Sequence, residues 1–197
     1  LWESAKYSSV YVSALAMTEV AIAMMLLGLP LNPAPLVVGL VTFAVYTNDR
    51  ITDVETDALS NPSKAQLIRK YERFLYPLTA IAYGGAVTIA VTGGPVALGL
   101  TLLPGAFWIF YASDYLNGLS RRFYRMKEIL LLNTAIIAFA WAITITWLPF
   151  AFASVALSPA AAVLFAYFFL RTFVLAEVSN VGDRDGDGRL VDPDADG

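Results

Sequence analysis

Six stretches of the chain are apolar at nearly every position for long enough to cross a bilayer: 7–29, 33–50, 73–93, 95–113, 129–149 and 155–176. Each is near the roughly 17 to 25 residues that a spanning helix takes, so the pattern predicts six transmembrane helices and an all-α, polytopic bundle. The second is the least apolar. Pro33 and Pro35 open it and Asn48 closes its apolar part, so its polar end is expected in a protein-lined cavity at membrane depth. LNPAP, GGP and the LPF to LSP region break the helices on one side. Residues 1–6, 50–73, 114–128 and 177–197 then fall on the other. All 13 Lys and Arg lie on or beside that second side, with Arg171 one turn inside its helix end, and the positive-inside rule makes it cytoplasmic. Only Glu19 is placed mid-span. A carboxylate there costs about 2.5 to 3.5 kcal/mol on insertion scales, so Glu19 is expected to face the bundle interior or be protonated, in an interhelical hydrogen bond or a cavity wall.

Composition agrees and narrows the chemistry. The chain is 58% hydrophobic and only 15% charged, with mean hydropathy +0.63, as expected of a multi-pass integral membrane protein rather than a soluble domain. It has neither cysteine nor histidine, which excludes disulfides, thiolate nucleophiles, zinc knuckles and iron–sulfur ligation. Any metal must be held by oxygen, which favours a hard cation such as Mg²⁺ or Ca²⁺. No nucleic acid partner is expected.

The candidate chemistry sits where apolar runs end. NDRITDVETD, residues 48–57, follows LVVGLVTFAVYT and sets Asp49, Asp53 and Asp57 at i, i+4 and i+8, one helical face drifting about 40° per step. Like charges so spaced repel, and a divalent cation relieves them; a solvated helix end with Arg50 as partial counter-ion is the plain alternative. A second cluster, EVSNVGDRDGD (177–187), follows the sixth run with Asn180, then Asp183 and Asp187 four apart, on the same side. Two carboxylate sets over one cavity can hold Mg²⁺ with coordination positions left for phosphate, an arrangement that suits a diphosphate. The tail also contains DRDGDG and DPDADG, each like the start of a calcium loop, with Asp194 at loop position 12, but without a second flanking helix. A solvated acidic tail is the alternative for residues 188–197. Arg121, Arg122, Arg125 and Lys127, between the fourth and fifth runs, either obey topology alone or grip phosphate oxygens together; Lys64, Arg69, Lys70 and Arg73 carry the same choice. Tyr111 and Ser113 can add hydroxyl contacts, although core packing also accounts for the tyrosine.

With these residues placed, the chain resembles the UbiA superfamily of intramembrane prenyltransferases. The family's first motif, NDxxDxxxD, corresponds to NDRITDVETD, and its second, an Asp-rich DxxxD after the sixth helix, to NVGDRDGD, with Asp185 where relatives often carry Glu. RRFYRMKEILLLN is similar to the family's basic segment after the fourth helix. The resemblance implies one domain over residues 1–197, in a fold of nine helices of which six are present, so that the domain is C-terminally incomplete. It implies Mg²⁺-dependent transfer of an isoprenyl group from a diphosphate such as geranylgeranyl diphosphate to a lipophilic acceptor among the lipids of the plasma membrane, with the acidic motifs on the cytoplasmic side. It puts Asp49, Asp53, Asp57, Asp183 and Asp187 on metal, and makes Asp53, Asp57, Asp183 and Asp187 catalytic. Asn48, Asn180, Arg122, Arg125, Lys127 and Tyr111 are put at the diphosphate. Phe107, Trp108, Tyr111 and Phe168 are candidate walls that exclude water. Rival readings are a UbiA-like terpene cyclase, which ionises the same substrate without an acceptor, and a non-enzymatic transporter or cation-binding bundle. CDP-alcohol phosphotransferases are set aside because their DxxDGxxAR pattern is missing.

Overall fold

The computed structural model describes residues 9–52, 54, 62–112 and 130–191, with Ser63, Lys64 and residues 110–112, 130–133 and 179–191 described by backbone alone. Six α-helices and, among the described residues, no strand are present: α1 Ser9–Leu26, α2 Ala34–Thr52, α3 Pro62–Val91, α4 Gly94–Ala112, α5 Leu130–Ala153 and α6 Pro159–Val191. The all-α expectation holds.

Local residues build the turns. Gly28, at φ 65°, takes the left-handed position after α1, and the N–H groups of Gly28 and Leu29 donate to the carbonyls of Met25 (3.2 Å) and Met24 (2.9 Å), the paired bonds of a glycine-terminated helix. Asn32 then caps α2. Its side-chain oxygen accepts the Ala34 N–H at 3.0 Å, while Pro33 fills a first-turn position that needs no N–H. The Asn32 amide also donates to the Pro149 carbonyl at 3.0 Å, tying this turn to α5.

Helices adjacent in sequence pack together, and α2 also touches α4 and α5. The pairs are antiparallel. Leu40 of α2 lies against Gly85 of α3 while Asn48 meets Thr79; Gly93 before α4 lies against Phe152 of α5 while Leu100 meets Thr144. The ends at Ser9, Thr52, Pro62, Ala112, Leu130 and Val191 therefore share one end of the bundle. The turns at the opposite end, 27–33, 92–93 and 154–158, carry no charged residue.

Lipid tails are as apolar as leucine, so helices in a bilayer associate through close packing of small residues rather than by escaping water. The core follows that rule: Ala23, Ala86, Ala97 and Ala142 are buried beside Val20, Val37, Val41 and Leu148. Helix α2 is the central element, with Val37, Val38 and Val41 fully buried, which explains how the least apolar run lies inside the bundle: its neighbours are protein. Four helices are long and apolar enough to cross a membrane, in Ser9–Leu26, Ala65–Val91, Thr134–Ala153 and Pro159–Val178, and α4 adds a shorter apolar stretch, Gly94–Ile109. Six helices stand where six spans were expected, and four of them meet the length and apolarity of a span, α2 being more polar and α4 shorter. The exposed faces suit lipid, with Met25, Ile81 and Val163 all outward.

Two helices outrun the apolar stretches that announced them. Helix α3 begins at Pro62, before the expected 73, and at 30 residues reaches about 45 Å. Helix α6 has 33 residues, about 50 Å, and continues beyond 176 through the second acidic cluster. Helical backbone from Asp183 to Val191 also corrects the calcium-loop reading of DRDGDG, since such a loop wraps its ion with non-helical backbone.

Candidate functional site

Helices α1, α2, α5 and α6 together line an open-sided cavity of about 450 Å³. Helix α1 contributes Val12, Leu15 and Glu19, α2 contributes Thr42 and Tyr46, α5 contributes Ile137 and Trp141, and α6 contributes Arg171, Leu175 and Ala176. The walls are mostly aliphatic, with Tyr46 and Trp141 in contact at 6.0 Å between ring centroids. That is the composition of a small-molecule site: apolar, with few polar groups.

Glu19 and Arg171 form a two-pronged ion pair across the cavity, with Arg171 Nη1 donating to Glu19 Oε2 at 3.1 Å and Nη2 paired with Oε1. Neither side chain is fully enclosed, at 22% and 32% exposure respectively. The pairing gives Glu19 both roles allowed to it, interhelical partner and cavity wall. Arg171 is corrected: it is the thirteenth residue of α6 and well inside the bundle, where sequence reading put it one turn from a helix end. The one acid in an apolar run, Glu19, was the signal for this pair; its partner gave none apart from the charge asymmetry. Thr42, Tyr46 and Trp141 gave no signal distinct from ordinary helix packing. Thr42 is 2% exposed, and its hydroxyl has no hydrogen-bond partner among the described residues.

The first acidic motif begins at the end of α2. Asn48 is held there: its carbonyl accepts the Thr52 hydroxyl at 2.9 Å, and its side-chain oxygen lies 3.3 Å from the Thr79 hydroxyl of α3, which shares its one proton with the Tyr76 carbonyl at 2.8 Å. Asp49 follows on the same helix, half-buried. Three residues separate Asp49 from Asp53 in the sequence, where NDxxDxxxD has two, so the first motif departs from the family pattern in that spacing. Asp53, Asp57, Ser113, Arg121, Arg122, Arg125 and Lys127 lie outside the described residues. Tyr111 is in the last turn of α4, and Asn180, Asp183 and Asp187 are in the extension of α6, by backbone alone. Spacings of three and four keep those three α6 residues on one helical face. Among the described residues no three metal-ligating side chains gather.

The expected aromatic walls are corrected. Phe168 is 4% exposed within the core, and neither it nor Phe107 or Trp108 lines the cavity, which takes its aromatic surface from Tyr46 and Trp141. The helices turn Phe168 into the packing of α6, where its ring lies edge-on to Tyr167 at 5.3 Å.

Residues shortly before each motif line one cavity: Tyr46 precedes Asn48 by two residues on α2, and Ala176 precedes Asn180 by four on α6. No family model, curated protein or solved structure matches the chain.

Proposed function

We propose that this protein is a UbiA-like prenyltransferase, moving an isoprenyl group from a polyprenyl diphosphate to a lipophilic acceptor within the membrane. The observation that supports this reading best is that the α2 end and the α6 extension leave the same apolar cavity at the charged end of the bundle. An apolar chamber lined by the two helices that lead into the acidic motifs suits a substrate that is hydrocarbon at one end and diphosphate at the other.

The donor set fits Mg²⁺. With no His or Cys in the chain, every side-chain ligand near the rim is an oxygen, the preference of a hard cation. Asp49, Asp53 and Asp57 on one side and Asp183 and Asp187 on the other would hold it. Bound there, Mg²⁺ supplies Lewis-acid neutralisation of the departing diphosphate. The chain's own groups do the rest. Asn48, oriented by Thr79, Asn180 and the Tyr111 hydroxyl bind diphosphate oxygens. Arg122, Arg125 and Lys127 add charge-assisted hydrogen bonds to the same group. The walls at Trp141, Ile137 and Leu175 keep water from the allylic carbon while the C–O bond breaks and the diphosphate departs, so that the acceptor, rather than water, captures it. By the positive-inside rule the charged end faces the cytoplasm, across the plasma membrane.

The test is transfer from labelled geranylgeranyl diphosphate into native lipid extract. Asp53→Ala and Asp183→Ala are each expected to abolish the Mg²⁺-dependent lipid product while leaving the protein in membranes. Undiminished transfer by both variants refutes the metal roles, and label released as a cyclised hydrocarbon without acceptor favours a cyclase.

A further inference from the structure

Among the described residues the wall of the cavity is electrically neutral, and this restricts what can occupy it. Glu19 and Arg171 are its charged side chains among the described residues, and they cancel one another. Two bonds do not exhaust them, since a guanidinium has five N–H donors and a carboxylate about four acceptor positions. The pair therefore keeps both donors and acceptors for a third group. Thr42 lines the same cavity with an unpartnered hydroxyl, and most of the remaining surface is hydrocarbon.

We propose that this cavity binds an uncharged lipophile bearing a hydroxyl or carbonyl group, which hydrogen-bonds to the Glu19–Arg171 pair while its hydrocarbon body lies against Trp141 and the aliphatic walls. A carboxylate or ammonium head would add an uncompensated charge inside the bundle, which is costly at membrane depth. A plain hydrocarbon would leave the spare donors and acceptors unmet. As a statement about the acceptor, this rests on the prenyl-transfer reading, and it then makes the acceptor a neutral lipid alcohol or carbonyl compound rather than a carboxylic acid or phosphate ester. As a statement about binding, it stands without that reading.

Trp141 is a built-in reporter. The purified full chain in nanodiscs, without Mg²⁺ or diphosphate, is titrated with four dibrominated octadecyl compounds differing only in the head: alcohol, carboxylate, ammonium and plain hydrocarbon. Quenching of tryptophan fluorescence that disappears in Trp141→Phe measures occupancy of the cavity. The alcohol is expected to saturate this signal at about tenfold lower concentration than the other three, the separation a buried charge or unmet polar group produces. Glu19→Gln leaves Arg171 unbalanced and should move the preference to the carboxylate; Arg171→Gln should move it to the ammonium. The exchange Glu19→Arg with Arg171→Glu restores neutrality and should restore the alcohol preference, so the outcome survives if a single variant fails to fold. Equal affinity for all four heads, signal that does not saturate, or an exchanged protein that prefers a charged head overturns the proposal. A preserved ranking beside absent transfer activity would count against the prenyl-transfer reading alone.

Discussion

At the scale of single residues, the pair Glu19–Arg171 shows how an intramembrane charge is made tolerable. Neither residue could remain ionised among aliphatic helices alone, yet together they satisfy two prongs each across α1 and α6. Removing one partner leaves the other charge uncompensated, a change that costs more than the pair itself contributes. Arg171→Leu is therefore expected to destabilise the bundle by about 1–3 kcal/mol, reduced from the fully buried case because both groups border the cavity. The double variant Glu19→Leu with Arg171→Leu should recover most of that loss, read by reversible denaturation in mixed micelles. A double variant as unstable as the single one would show that the pair is more than a mutual accommodation. Sequence alone exposed Glu19, because one acid stood out in an apolar run. It hid the partner, because Arg171 lies close enough to the polar segment to pass for a topological positive charge.

At the scale of elements, a proline and a threonine answer one another. Pro104 sits within α4 and lacks the N–H that would bond the Leu100 carbonyl four residues earlier. Thr144 of α5 shares its one hydroxyl proton between that carbonyl, at 3.2 Å, and the Ala140 carbonyl of its own helix, at 2.9 Å. In a bilayer no water replaces such a bond, so the neighbouring helix must. Thr144→Val should destabilise by about 1 kcal/mol, and much less in a Pro104→Ala background, where α4 supplies its own donor. Equal losses in the two backgrounds would mean that Thr144 acts by packing alone. Helix ends were legible to different degrees for the same kind of reason. Gly28, Asn32 and Pro33 mark the α1–α2 turn in the sequence because their backbone preferences act locally. The start of α3 and the stop of α6 differ from the apolar runs because charge marks only the end of the apolar environment; the backbone hydrogen bonds of a helix continue into the polar segment regardless.

For the whole molecule, the all-α class and the one-sided charge were readable because both follow from transfer free energies summed over long runs, which individual contacts do not alter. The cavity was not, since it depends on which of four helices turn Tyr46, Trp141 and Arg171 inward, a matter of packing among residues that read alike. Near 20 residues of apolar length identifies a helix that can span, but it left α2 ambiguous until its central position became visible. What the charge asymmetry does predict is orientation. The turns at 27–33, 92–93 and 154–158 are free of charge, while Arg50, Arg69, Lys70 and Arg73 gather at the opposite end, and positive residues are retained on the cytoplasmic side during insertion. The chain has no native cysteine, so a single introduced thiol reports its own location. Leu31→Cys, at a position 86% exposed in the uncharged turn, should react with a membrane-impermeant maleimide on intact cells. Ser60→Cys, between α2 and α3, should react only after the cells are opened. The reverse pattern would place the acidic motifs outside the cell, away from cytoplasmic diphosphates, and would remove the topological support for prenyl transfer.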